Sequence, residues 1–290
     1  MSEFMQFLLS GLTVGAVYAL VALGFTIIYN ASSVVNFAQG EFVMLGGMIT
    51  AFAFTAGAPL PLAALLAIVC TAGIGVALNK LALEPAHGAP VVSLIIITIG
   101  SSIFIRGASS VVFDKQLHRF PAISGDEAIR FLGASILPQS LWVVGGALAI
   151  FLGLWLFFTR TLTGRAVLAT SNNRIAAILM GINTRYVMTL SFALSAAVGA
   201  VAGVLVTPIT LTSYDVGLAM ALKGFAAAML GGMGNPKGAL LGGLVLGLIE
   251  SFTAGYISSQ YKDAAAFVVI LAVLFMMPQG LLGRSATERV

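Results

Sequence analysis

TRTLTGRAVLATSNNRIAAILMGINTR, Thr159 to Arg185, is the longest polar interruption in the second half of a very apolar chain. It carries Arg160, Arg165, Arg174 and Arg185 with no acidic residue among them. A short membrane-protein loop this rich in arginine is retained on the cytoplasmic side, so the stretch orients everything around it. Within it, Ser171 or Asn172 is placed to cap a short helix whose apolar residues Ile175, Ile178, Leu179 and Ile182 recur at steps of three and four. One apolar face ringed by arginines describes a docking element that lies on the membrane or in a partner's groove. It equally describes an ordinary positive-inside loop whose helix packs on its own bundle, and the residues alone leave both open.

Outward from that loop, the chain of 290 residues is 59% hydrophobic and 8% charged, with a mean hydropathy of +1.06. Soluble domains carry about 25% charged residues, so this is an integral membrane protein. The apolar runs are long enough to cross a bilayer as helices and too continuous for the alternation of an outer-membrane barrel. The expected fold is all-α, a polytopic bundle of eight or nine spanning or re-entrant helices forming a single transmembrane domain over residues 1–290. Its 33 glycines fit close helix packing and broken helices. The formal charge of +4 resides in loop arginines and gives no reason to invoke nucleic acid. Cys70 lies in an apolar run and reads as a small buried residue, with no disulfide to form. No cleavable signal peptide is apparent, because the first apolar stretch lacks a basic flank and is long enough to span.

Taken in order, Phe7 to Ile28 reads as the first spanning helix, with an outside N-terminus. Tyr29 to Gln39, with Asn30, Ser32, Ser33, Asn36 and Gln39, is either a cytoplasmic connection or an irregular segment buried in protein. Gly40 to Ala56 follows with Glu41 at its start, where a carboxylate meets free amides and a favourable dipole. There it acts as a structural cap, with a site-lining or gating role as the alternative. Gly57, Pro59 and Pro61 turn the chain outside, and Leu62 to Asn79 returns it to Lys80, Glu84 and His87. Val91 to Phe113 contains Arg106, which must face the bundle, a partner or a polar cavity, or snorkel to an interface. Asp114 to Pro138 is the longest external segment, of mixed charge, with room for a short helix or strand.

Ser140 to Phe158 leads into the arginine loop, and Val187 to Thr207 leaves it, with Gly199 and Gly203 four apart on one face for close helix approach. Pro208 ends or kinks that helix. Asp215 to Asn235 contains Lys223 and stops at Gly231, Gly232, Met233, Gly234, Asn235 and Pro236, which suits a turn or a discontinuous helix. Ala239 to Ile257, with Glu250, and Ala264 to Met277 complete the set. With nine crossings, Lys80, Arg160, Arg165, Arg174, Arg185, Lys237, Arg284 and Arg289 lie inside, against Lys115, Arg119, Arg130 and Lys262 outside. That asymmetry agrees with the positive-inside bias.

No nucleophile, paired-carboxylate or metal-ligand constellation occurs, and His87 and His118 fall in loops on opposite sides. Metalloprotease, dinucleotide-binding and ATP-binding signatures are absent, so the chain does not read as an enzyme. Arg106, Lys223 and Glu250 are the intramembrane charges, suited to ion pairs, gates or contacts with polar cargo. Pairing is the cheapest of these, because an unpaired buried charge is costly.

Several motifs in order then bear on function: GLTVGAVYALVALGFTIIY at Gly11 to Tyr29, VNFAQGEFVMLGG at Val35 to Gly47, and LIIITIGSSIF at Leu94 to Phe104. They continue with TRTLTGRAVLATSNNRIAAILMGIN at Thr159 to Asn183, LKGFAAAMLGGMGNPKGALLGG at Leu222 to Gly243, and MMPQGLLG at Met276 to Gly283. Together they cover nearly the whole chain, which resembles the permease subunits of branched-chain amino-acid ABC importers, in particular the smaller of the two permeases. The resemblance implies a non-catalytic subunit of the bacterial inner membrane, in contact with lipid, that forms half of a pathway for an amino-acid substrate. Its implied partners are a second homologous permease, two cytoplasmic ATPase subunits and a periplasmic substrate-binding protein. No cofactor is expected on this chain, with ATP and Mg bound by the ATPases.

In such importers a cytoplasmic permease loop inserts a short helix into the ATPase. Here the resemblance maps that role onto the cytoplasmic loop 159–185, at Asn172, Asn173, Arg174, Ile175, Ala176, Ala177, Ile178, Leu179 and Gly181. Many importer permeases carry Glu-Ala-Ala and a following glycine in that loop; this chain has Ile175, Ala176, Ala177 and Gly181, without the glutamate. Pathway or gate elements are expected at Asn36, Gln39 and Glu41 and at Gly231, Gly232 and Asn235, with the charges Arg106, Lys223 and Glu250. Related urea and short-chain amide importers have very similar permeases, which makes urea the alternative cargo. An ATP-independent solute channel is the alternative of a different class.

Overall fold

The structure, a computed structural model, describes residues 2–86, 88–131 and 133–283. The readings of His87, Arg284 and Arg289 lie outside the described residues. The first helix, α1 (Ser2–Ser32), is apolar on every side, and a helix of that kind belongs in the interior. Around it run α2 (Gln39–Thr55), α3 (Leu60–Leu78) with a π-helical continuation at Asn79–Leu83, and α4 (Val91–Val112). Next come the strands β1 (Ile129–Phe131) and β2 (Ala134–Ile136), then α5 (Pro138–Arg160), α6 (Leu162–Asn172) and α7 (Arg174–Leu179). The chain closes with α8 (Thr184–Thr210), α9 (Val216–Gly231), α10 (Pro236–Tyr256) and α11 (Lys262–Met276).

The expected helical membrane bundle is therefore observed. Among the described residues, six helices are long and apolar enough to cross a bilayer: α1, α3 with its continuation, α4, α5, α8 and α10. The helices α2, α9 and α11 have 17, 16 and 15 residues, short of the ~20 a full crossing requires. Burial sorts the bundle into layers. Of the most apolar window of α1, 89% is buried, against 11% for both α4 and α5. Thus α1, α2, α8 and α9 form the centre, and α3, α4, α5 and α11 present apolar faces outward.

The centre is held by close backbone approach. A side chain on Gly243 would overlap the backbone of Ala19, and one on Gly247 would overlap Gly15, so α10 lies directly against α1. Gly203 does the same for α8 against the Val43 carbonyl of α2, as the glycine spacing predicts. Pro208 does not end α8, which continues to Thr210. A proline this near a C-terminus removes only one backbone bond, and Leu211 still closes the last turn on Thr207.

Cys70 is exposed rather than buried, on the outer face of α3 with Leu62, Leu65, Leu66 and Val69. In lipid an apolar side chain is as well placed outside as inside. The segment after α4 forms a hairpin in which Ile129 pairs with Ile136. Gln6 ties it to α1 through both backbone groups of Ser135, at 2.7 and 3.0 Å. Its start is pinned by a bridge between His118 and Thr212.

Candidate functional site

The connection between α1 and α2 is mixed: Ser33 is exposed, while Val34, Asn36 and Ala38 are buried in protein. Asn36, Gln39 and Glu41 all have 0% exposure. Ser33 adopts φ 58, which breaks the helix before the chain turns into α2. Gln39 then reaches α8: its amide nitrogen donates to the Ser195 carbonyl at 3.2 Å, and the Ser195 hydroxyl donates to its amide oxygen at 2.5 Å. Asn36 accepts the Ala38 amide at 3.1 Å. Thr98 of α4 accepts the Phe37 amide at 3.3 Å, which fastens the irregular backbone from the other side.

Glu41 does not cap α2, whose N-terminus has no side-chain cap. Its carboxylate turns sideways to α4 instead. Ser102 donates to Oε1 at 2.8 Å, and Arg106 donates to the same oxygen from Nη2 at 2.8 Å and from Nε at 3.2 Å. Two cationic donors recover far more of the cost of a buried carboxylate than free amides would. Arg106 thus faces the bundle. Sequence reasoning missed Ser102, although Thr98, Ser102 and Arg106 recur at steps of four and mark one polar face of α4.

A second charged centre lies between α9, α10 and α11. Lys223 donates to Glu250 at 2.6 Å and to Asp263 at 2.8 Å, and the Tyr18 hydroxyl donates to the other Glu250 oxygen at 2.7 Å. Lys262 approaches Glu250 at 3.6 Å. Pairing of Lys223 with Glu250 matches the expectation; Tyr18 and Asp263 were not foreseen, since nothing local marks them. Arg106 and Glu41 do not join this centre.

At the glycine-rich stop, Asn235 caps α10 by accepting from Lys237 and Gly238 at 3.0 and 3.3 Å, and its amide donates to Leu282 at 2.8 Å. Gly232, with φ 101, and Gly231 pack against Gly283 and Gly238. These residues form a tight turn joining α9, α10 and the chain after α11.

The arginine loop holds two helices. Asn173, one residue beyond the expected Ser171 or Asn172, caps α7 by accepting the Ala176 amide at 3.0 Å. Its backbone is extended, with φ −154 and ψ 102, as an N-cap requires, whereas Asn172 still belongs to α6. The far end closes with Gly181 at φ 81, where Gly181 N donates to Ile178 and Ile182 N to Ala177, at 2.9 and 3.0 Å. That is the paired arrangement that stops a helix abruptly. Ala177 is buried, while Ile175, Ile178, Leu179 and Met180 are 54 to 82% exposed. A capped turn that shows apolar side chains to the outside is a surface made to be covered.

The family described as the permease component of the branched-chain amino acid transport system matches residues 7–276. The chain belongs to this permease family. It is 35% identical to the high-affinity branched-chain amino acid transport permease BraD of Pseudomonas aeruginosa, over 99% of this chain and 98% of that protein. It is 33% identical to LivH of Escherichia coli over the same shares. The ribose import permease RbsC of Haemophilus influenzae is 27% identical over 89% of this chain and 81% of its own length. Among solved structures, PsaBC from Streptococcus pneumoniae in complex with Fab has the same fold, with a TM-score of 0.52 at 17% identity, covering 94% of this chain and 92% of that one. Permeases of this family are non-catalytic components of ABC importers of the bacterial inner membrane, working with ATPase and binding-protein subunits. Among the described residues, no cluster of metal-ligating side chains occurs.

Proposed function

We propose that this permease forms half of the pathway of an ATP-driven importer of leucine, isoleucine and valine, beside a second homologous permease, above two ATPase subunits and below a periplasmic binding protein. The reading is supported most by α7, a helix too short to be stable alone that is nonetheless capped at both ends and leaves Ile178 and Leu179 uncovered. ATP binding closes the ATPase pair, α7 moves with it, and the short α6 and α8 carry that motion into the centre of the bundle. In this reading α1 to α5 and α8 to α11 provide nine crossings, with α2, α9 and α11 completed by irregular backbone lying in protein. The arginine loop faces the cytoplasm.

The connection at Asn36 leads into the first turn of α2, Gln39 to Glu41, which meets the start of α9 where Gly40 and Gly217 touch, and there the pathway is gated. Specificity rests mainly with the binding protein. Similarity to BraD and LivH favours branched-chain amino acids over urea. The test is uptake of labelled leucine into proteoliposomes holding the permease pair and ATPases, with urea as competitor. Uptake that needs both ATP and binding protein supports the proposal. Urea uptake alone keeps the architecture and removes the substrate, and passive flux through this chain alone removes the motor-driven reading.

A further inference from the structure

One cavity lies between the proposed gate at Asn36 and the docking helix at Arg174. It has a volume of about 270 Å³ and lies between the α1–α2 connection, the π-helical end of α3, α4 and the start of α8. That is near the lower end of the ~300–1,000 Å³ of small-molecule sites. Its wall is apolar on one side, from Ile28, Leu94, Met188 and Phe192, and charged at the rim, from Glu84, Arg174 and Arg185. Among the described residues, none of those three charges is in an ion pair.

Two buried amide atoms on this cavity's lining lack a partner in the protein: Asn36 Nδ2 and Asn79 Oδ1. Hydrogen bonding fixes which atom is which. Asn36 must present its oxygen to the Ala38 amide, which leaves the nitrogen free. The Thr189 hydroxyl already donates to the Arg185 carbonyl at 3.0 Å, so its contact with Asn79 at 3.0 Å is a bond it accepts, and the Asn79 oxygen is the free atom. Buried polar groups are nearly always satisfied by protein, ordered water or a ligand, so this pair marks where a polar occupant of the cavity would bond.

We infer that this cavity binds a small α-amino acid with an apolar side chain. The carboxylate meets the Asn36 amide and the two arginines, the ammonium meets the Asn79 oxygen and Glu84, and the side chain lies on Phe192 and Met188. This deepens the function proposed above and rests on it in one respect: the arginine loop is cytoplasmic, so the occupant is amino acid already delivered. Arg174 opens α7 and Arg185 lies in the first turn of α8. Occupancy therefore joins the element that meets the ATPase to the bundle and restrains its movement, which slows import when internal amino acid is high.

The experiment is equilibrium binding of labelled leucine to the purified permease–ATPase complex without binding protein, with 4-methylpentanoate and isopentylamine as analogues that each lack one charged group. Saturable binding is expected, at least tenfold weaker for either analogue. Asn36→Asp, which exchanges the free donor for an acceptor at constant volume, weakens it at least tenfold, and Met188→Trp, which fills the cavity, abolishes it. Size-exclusion profiles show that each variant assembles; if Met188→Trp does not, Asn36→Asp and the analogues decide. Absence of wild-type binding at millimolar leucine overturns the inference, as does equal binding by wild type and an assembled Asn36→Asp. Uptake is measured on the same preparation with binding protein added. ATP-driven leucine uptake without this binding removes the cavity site alone, whereas binding without leucine uptake removes the proposed substrate and leaves the cavity site standing.

Discussion

Lys223 and Glu250 meet at 2.6 Å between α9 and α10, with the Glu250 side chain 6% exposed. Breaking one side of a buried pair costs up to about 3–5 kcal/mol, reduced here by the Tyr18 hydroxyl and Lys262 that still reach Glu250. Lys223→Met is expected to lower the unfolding midpoint in mild detergent sharply. Lys223→Met with Glu250→Met is expected to recover most of the loss. A double variant no more stable than the single would show that the pair is not the source of the effect.

Glu41 and Arg106 form the matching pair between α2 and α4, at 2.8 Å. Glu41→Gln with Arg106→Gln removes both charges, at constant volume for Glu41 and with a shorter side chain at the partly exposed Arg106, so the chain is expected to assemble. If Asn36 to Glu41 is a gate, ATP-driven uptake falls at least tenfold in that double variant. Wild-type uptake kinetics would confine the pair to a structural role.

Ile178 and Leu179 are 54 and 82% exposed on α7, so acidic substitutions there disturb no packing within the chain. Ile178→Asp with Leu179→Asp is expected to leave the size-exclusion profile of the permease unchanged and to abolish copurification with the ATPases. Asn173→Ala, which costs the short helix about 1 kcal/mol, is expected to weaken that copurification by a smaller factor. Retention of the ATPases by the double aspartate variant would remove α7 as the docking element.

Gly247 and Gly73 offer a controlled comparison within membrane helices. A methyl group on Gly247 would overlap Gly15 of α1, whereas one on Gly73 meets nothing. Gly247→Ala is expected to destabilise by about 1–3 kcal/mol through overpacking. Gly73→Ala is expected to be neutral or to stabilise by up to about 1 kcal/mol through helix propensity. Thermal unfolding in one detergent ranks the two.

Asp114 lies in the segment after α4, where hydrogen bonds from His118 and the Gln116 amide hold its carboxyl below the ordinary 3.8. A depressed carboxyl contributes stability that is complete above its unfolded value and is lost as pH falls through the folded one. The amides of His118 and Thr212, which bond each other's carbonyls at 2.8 and 2.9 Å, should stay protected down to about pH 4. They should lose protection below that, in hydrogen exchange corrected for intrinsic rate. Loss between pH 7 and 5 would point to another group.

The charge deficit and the apolar run lengths establish a helical membrane protein without any coordinates, because lipid admits few backbone arrangements. The capped helix at Arg174–Leu179 was legible for the same local reasons, to within one residue. The choice between neighbouring Asn172 and Asn173 turned on backbone conformation, which two identical side chains do not encode.

Tertiary structure alone decided which distant groups meet: Glu41 with Arg106 rather than with its own helix, Asp263 and Tyr18 with the Lys223 centre, and the free amide atoms of Asn36 and Asn79 on one cavity. It also placed Cys70 outside. In water, polar residues mark the outer face of a helix. In lipid both faces are apolar, so hydropathy leaves helix rotation unspecified, and rotation is what determines which side chains come together.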